Sequence, residues 1–336
     1  MRCQLSTSLG ALAIATAAMP IMPVSLAGQA PAAAKGKATA AAKVYTPPRT
    51  ADGQPDLQGV WDFRNLILQP LERPAQFATK EFLTEQEAAE FEKLAIEGRE
   101  KSGPVITDDP TVWWDYGKKF VGRRRSFLIT DPPDGKIPPL TPEAKKRAEV
   151  SAERRARPAW GPEDRSVSER CIMGSNAGPP ILPGSYNNNV QLFQTSGYVA
   201  ILNEMVHNVR IVPLDGRAPL RVPQWSGSSR AHWDGNTLVV ETQGFHDTTS
   251  FPNSSPNMHL VEKFARVDPN TLLYTFTVSD PTTWTKPFTA QVPMRKSDQL
   301  LYEYACHEGN YGMAATLRAA RAAENADGEA SKKGVK

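Results

Sequence analysis

Long apolar runs are missing from most of this chain. After residue 27 no stretch approaches the roughly 18 apolar residues that a bilayer-crossing helix needs, so no membrane span is expected once that leader is removed. Net charge is scarce: 39 Lys and Arg against 36 Asp and Glu leave a formal +3. That balance points to neither nucleic acid nor an acidic membrane surface as a partner. Signature loops are lacking too. There is no Gly-x-Ser-x-Gly elbow, no phosphate-binding loop and no Gly-x-Gly-x-x-Gly after a strand. Their absence argues against a serine-elbow hydrolase, a phosphate cradle and a nicotinamide-binding fold. Neither His-x-x-x-His nor Cys-x-x-Cys spacing occurs, so metal ligands would have to meet in space alone. No cofactor and no metal is expected.

Proline is what the chain has in excess, with 29 in 336 residues against a usual share of about 5%. Seventeen fall between Pro47 and Pro183, which predicts loops, turns and short helices there rather than regular sheet. The first residues read as an export signal: Arg2, an apolar run over Leu9–Leu26, then Ser25-Leu-Ala27 at the cleavage position. Residues 28–47, built of Ala, Lys, Gly and Pro, read as a disordered linker. Cleavage after Ala27 leaves two cysteines, Cys171 and Cys306. An even pair in an oxidising compartment predicts a disulfide. Its long loop is worth about 4–5 kcal/mol in the chain-entropy model.

Three helices are expected. Thr84-Glu-Gln-Glu87 is a capping box that opens a helix over about Glu85–Arg99. Thr141 caps a second, with Pro142 at its first position, and Pro158 stops it after Ala156. Its polar, basic surface places it outside the core. A third, alanine-rich helix covers about 313–325, before a charged tail from 326. Short strands are expected at Leu57–Trp61 and Ser126–Thr130. From Asn189 they come quickly: Asn189–Thr195, Tyr198–Met205, Asn208–Pro213, Gln224–Trp233, Thr237–Gln243, Met258–Val267, Thr271–Ser279, Thr283–Met294 and Leu300–Cys306. Gly, Asp, Asn and Pro punctuate them. The fold class is mainly β: an antiparallel meander over 184–309 closing into a lipocalin-like barrel, or alternatively a β-sandwich. A proline-rich wrap over 48–183 and a few peripheral helices complete a single domain, 48–325.

Candidate site residues follow from alternation, which places every second strand residue on one face. Met258, Leu260, Glu262, Phe264 and Arg266 share a face, so Glu262 and Arg266 are set among large apolar groups. A buried acid and base must pair or bind something. Glu204 and Arg210 are read onto one face of the neighbouring strands. All five histidines, His207, His232, His246, His259 and His307, fall in the β-region. Four readings stay open, the weakest of them a metal site built from His207, His232, His259 or His307, for which the sequence has no ligand spacing. An acid–base enzyme would use Glu262 or Glu204 with His259 or His232, while Arg210 or Arg266 steadies negative charge. A binding barrel would orient a small-molecule ligand against Trp233, Tyr274 and Phe276, with Arg210, Arg266 and His307 nearby. A polar network tying strands together would do no chemistry. Convergence of Glu262, Arg266 and a histidine favours the enzyme, a wide apolar cavity the binding barrel, and a filled interior with every charge paired the network.

At Leu214-Asp-Gly-Arg217, Trp233-Asp-Gly-Asn-Thr-Leu-Val-Val-Glu-Thr242, His259-Leu-Val-Glu-Lys-Phe264 and Tyr304-Ala-Cys-His-Glu-Gly-Asn-Tyr311 the chain resembles an uncharacterised family of exported bacterial proteins. Segments similar to Pro55–Trp61 and Pro132–Thr141 extend the likeness over nearly the whole mature chain. The resemblance implies an exported β-rich protein and assigns no reaction, cofactor or catalytic residue.

Overall fold

The computed structural model describes residues 45–64, 69–77, 80–101, 115, 117–122, 124–248 and 251–333, within one compact unit, Val44–Lys336. The export signal and the linker as far as residue 44 lie outside the described residues, as do Trp113, Trp114 and Tyr116, an aromatic cluster expected to cover the core edge or stack on a ligand, and Arg123, the first of three adjacent arginines expected to pair with local carboxylates or bind an anion. Three α-helices are described: α1 (Glu85–Lys101), α2 (Pro142–Ala156) and α3 (Tyr311–Lys333). Both expected caps form. The Thr84 amide donates to Glu87 Oε2 at 2.9 Å, and the Glu87 amide donates to Thr84 Oγ1 at 3.3 Å. Thr141 Oγ1 accepts from the Ala144 amide at 3.1 Å and donates to the Thr282 carbonyl at 2.9 Å, tying the start of α2 to the sheet's end. None of these helices is long and apolar enough to cross a membrane.

The strands are β1 (Gly59–Asp62), β2 (Ile129–Asp131), β3 (Asn189–Gln194), β4 (Tyr198–Asn203), β5 (Val209–Pro213), β6 (Ser228–Asp234), β7 (Thr237–Gln243), β8 (His259–Asp268), β9 (Thr271–Ser279) and β10 (Phe288–Ser297). They form one antiparallel sheet in the order β5-β4-β3-β1-β10-β9-β8-β7-β6, with β2 paired to β10 beside β1. Among the described residues, the two meanders, β3–β5 and β6–β10, are thus joined in the sheet through β1. One edge of β1 bonds to Asn189–Leu192 and the other to Arg295–Ser297. Trp61 anchors this bridge: its side chain is fully buried, and its Nε1–H donates to the Leu57 carbonyl at 2.9 Å.

Alternating directions along this path make the end strands, β5 and β6, parallel to each other. They approach side by side, yet no ladder joins them. A ring of strictly antiparallel neighbours closes only with an even number of strands, and the path has nine. Hydrogen bonding therefore does not complete the expected barrel.

Other departures have local causes. Leu300–Cys306 is not a strand, because β10 is already bonded to β9 on one edge and to β2 and β1 on the other. Thr283–Met294 shifts to Phe288–Ser297 because Asp280 holds a turn. Its buried carboxylate accepts from the amides of Ser255 (2.8 Å) and Thr282 (3.1 Å) and from Thr283 Oγ1 (2.7 Å). The third helix runs on to Lys333, through most of the expected tail. The wrap over 48–183 supplies two strands to the sheet, one of them at its middle.

The inner face follows the predicted alternation. Leu238, Val240, Leu260, Phe264, Leu272, Tyr274, Phe276, Val292, Val190, Ile201 and Val212 all join one buried cluster. Aromatic rings fill its centre, with Phe264–Tyr274 and Tyr274–Phe276 centroids 4.9 and 5.7 Å apart. The Cys171–Cys306 disulfide forms across 135 positions of sequence, with Cα atoms 5.7 Å apart. Reducing it, or replacing both cysteines by serine, is expected to lower the unfolding free energy by up to about 4–5 kcal/mol. An unchanged urea midpoint under reductant would contradict this.

Burial opposes the Asp280 charge, but the hydroxyl and amide donors outweigh it and hold its pKa below the usual carboxylate value. Stability from such a group is present above the unfolded pKa of about 3.9 and is lost as pH falls through the folded value. Asp280→Asn should therefore be less stable at neutral pH and show a shallower acid limb. Matching pH profiles for the two proteins would count against that assignment.

Candidate binding site at the open seam of the sheet

On β4, Val199, Ile201 and Asn203 share the inner face; on β5, Arg210 and Val212 do; on β8, Leu260, Glu262 and Phe264 do. An amide, a guanidinium and a carboxylate thus occupy positions where alternation otherwise places apolar side chains. Asn203, Arg210 and Glu262 are 1%, 5% and 0% exposed. Arg210 reaches across the interior as a fork. Its Nη1 lies 2.5 Å from Glu262 Oε2 and its Nη2 lies 2.8 Å from Oε1. The Tyr274 hydroxyl donates to Oε1 at 2.8 Å and accepts from the Ile181 amide at 3.0 Å.

Burial opposes the Arg210 charge, but the Glu262 carboxylate outweighs it and raises the guanidinium pKa further. Burial, aided by the negative Glu262, pushes the Tyr274 hydroxyl well above its usual value, so it stays a donor. The cluster carries no net charge.

Beside it, a pocket of about 320 Å³ opens between β5 and β6. Arg210 on the inner face of β5 lines it together with the exposed Val209, Ile211 and Leu220 and with Arg230 of β6. Asn208, Met173, Trp225 and Ser226 add to its walls. Gly227 starts the opposite wall with φ +68°, and a Cβ there would lie 2.6 Å from Thr242 Cγ2. Larger grooves of about 760 and 840 Å³ lie elsewhere; neither is lined by a member of the buried ion pair.

Several buried atoms here have no hydrogen-bond partner: Arg210 Nε, Asn203 Nδ2 and Oδ1, and Asn208 Nδ2. Asn203 and Asn208 face each other across the β4–β5 turn, where the Asn203 amide donates to the Asn208 carbonyl at 2.9 Å. That turn is strained. Val206 and His207 both take left-handed backbone conformations, φ +52° and +49°, which side chains with a Cβ disfavour. His207 Nδ1 accepts from the Tyr304 amide at 2.9 Å, which braces the turn against the segment leading to Cys306. The disulfide in turn fixes the chain immediately before Ile172 and Met173. Gly174 lets Met205 pack in, since a Cβ there would lie 1.9 Å from Met205 Cγ.

The expected meeting of Glu262, Arg266 and a histidine does not occur. Arg266 is four residues further along β8, about 13 Å at strand spacing. It donates instead to the carbonyls of Asp56 (3.0 Å) and Pro269 (2.7 Å). His259 and His232 lie on the outer faces of β8 and β6, and His259 Nε2 is 3.7 Å from Glu241 Oε2. Glu204 is carried out of register by the turn after β4 and accepts from Asn189 Nδ2 at 2.8 Å. His307 is exposed in a turn beside Cys306. Trp233 is half-buried against the core at the far end of β6 from the pocket. Asn203 and Asn208 were not singled out in the sequence, although Asn203 stands at an inward position after Val199 and Ile201.

The chain matches no known protein-family model and no curated protein sequence.

Removing one member of a buried pair leaves the other charge uncompensated, at a cost of about 3–5 kcal/mol. Arg210→Met and Glu262→Leu are each expected to fall in that range in urea unfolding, and the double variant to recover most of the loss. Additive losses would show that the two side chains act independently.

Proposed function

We propose that this protein is an exported binding protein for a small organic solute. Its sheet curls lipocalin-like into a barrel whose unladdered seam admits the ligand. The observation that carries this reading is the pocket between β5 and β6, whose lining residues Arg210 and Asn208 carry the unpartnered donors Nε and Nδ2. A buried donor or acceptor without a partner costs about 1–3 kcal/mol. Two such donors on the lining residues suit a ligand that supplies acceptors. Apolar walls from Met173, Ile172 and Trp225 suit the rest of a small, partly apolar molecule.

Holding a ligand fits the geometry better than proton transfer does. Both Glu262 oxygens are engaged by Arg210, one of them by Tyr274 as well. The histidines on β6 and β8 point away from it. Export is supported by the N-terminal leader, the long-range disulfide and the resemblance to exported proteins.

A thermal-shift and calorimetric screen of a metabolite library against the mature protein tests the reading. A true ligand should stabilise the wild type and lose most of its effect on Asn208→Leu, which removes the unpartnered Nδ2 from the pocket lining and keeps the backbone bond to Asn203. A hit that stabilises Asn208→Leu equally would place binding elsewhere. A hit consumed at a rate that depends on Glu262 would return the site to acid–base chemistry.

A further inference from the structure

Resting on that reading, we infer that the seam pocket recognises the carboxylate of a small organic acid with an apolar body. Charge decides the first half. Arg210 is neutralised by the fork to Glu262, so the charge left in the lining is Arg230, half-buried on β6. Its Nε donates to the Arg217 carbonyl at 2.8 Å and its Nη2 to the Ala218 carbonyl. Its Nη1 donates to the Ser229 carbonyl and to Ser228 Oγ, the latter at 3.3 Å. These contacts fix the guanidinium against the 214–227 connection without supplying a negative charge. Glu241 stands opposite Arg230 on β7, but its Oε2 lies 3.7 Å from His259 Nε2 and makes no ion pair with Arg230. Among the described residues the lining holds no Asp or Glu. A ligand cation would therefore meet only like charge, and an anion meets a counter-charge already held in place.

Hydrogen-bond polarity decides the second half. Arg210 Nε and Asn208 Nδ2 are donors without partners. The four bonds of Arg230 leave one of its five N–H groups over. Asn208 Oδ1 is already approached by Ser226 Oγ at 3.4 Å. The wall thus asks for acceptors and for one negative charge. A ketone or amide brings an acceptor without the charge, and a doubly charged phosphonate brings more charge than Arg230 offsets. A carboxylate brings two acceptor oxygens and a single charge. Val209, Ile211 and Leu220 line the same pocket yet stay 51%, 59% and 59% exposed. An apolar ligand body laid over them would take that surface from water, and about 320 Å³ leaves room for a small ring.

Benzoate, benzamide and phenylphosphonate share one ring and differ in charge, so they serve as probes. Binding to the mature, disulfide-bonded protein is followed by NMR of the Asn208 side-chain amide and the Trp225 indole, assigned from Asn208→Leu and Trp225→Phe. Benzoate should shift both signals and bind about tenfold more tightly than either analogue, as charge-assisted bonds exceed neutral ones. Arg230→Met should abolish that preference and Arg230→Lys should keep it. Should Arg230→Met fail to fold, added salt replaces it: salt should weaken benzoate and leave benzamide unchanged. Benzamide binding as tightly while moving the same signals would overturn the charge assignment and leave seam binding intact. Phenylphosphonate binding more tightly would overturn the carboxylate. If none of the three moves these signals at millimolar concentration, the carboxylate assignment falls. A hit from the wider library that moves them would then preserve the seam alone, and no such hit would sink both.

Discussion

The bidentate contact between Arg210 and Glu262 is the constraint on which the rest of this molecule depends. Arg210 belongs to β5, the strand at one end of the sheet. Glu262 belongs to β8, near the other end. Their pairing draws the two ends of a nine-strand path together across the interior, where no backbone ladder does so. Buried ion pairs are poor sources of net stability, because desolvation consumes most of their attraction. What this one contributes is position: it sets where β5 lies relative to the opposite wall, with Tyr274 and the Ile181 amide fixing the carboxylate's remaining freedom.

The opening follows from the same topology. Because β1 joins two meanders, the count along the path is odd and the terminal strands run parallel. Parallel neighbours joined directly in sequence need a crossover. Residues 214–227 make that connection over the outside, where Arg230 holds the Arg217 and Ala218 carbonyls. Side chains rather than main chain then line the gap. The disulfide and the strained turn at Val206 and His207 keep its lower rim in place. Strain of this kind persists where the surroundings over-determine it, and here Tyr304, Met205 and Cys171 do so.

Much of this was legible in the residues. Hairpins, helix caps and the cysteine pair rest on local chemistry or simple counting, and the alternation of β8 placed Glu262 inside. The partner of Glu262 was harder to read, because Arg210 is 52 residues away and the meeting depends on how the sheet curls. Arg266 shares the face of Glu262 but sits too far along the strand to reach it. Glu204 was misplaced because strand parity was carried through a turn that resets it. Leu300–Cys306 has strand composition, yet exposed Leu300 and Tyr302 find every edge of β10 taken. The role of β1 was invisible for a related reason: four residues joining two distant meanders leave no periodic signal of their own.

Native-state hydrogen exchange of the seam-facing amides on β5 and β6 is the most direct measurement of side-chain closure. With no backbone ladder between the end strands, these amides should exchange many-fold faster than those in the β8–β9 ladder, although both flank the same core. Protection on β5 and β6 equal to that of β8 and β9 would mean that a main-chain ladder closes the sheet, and would contradict the account.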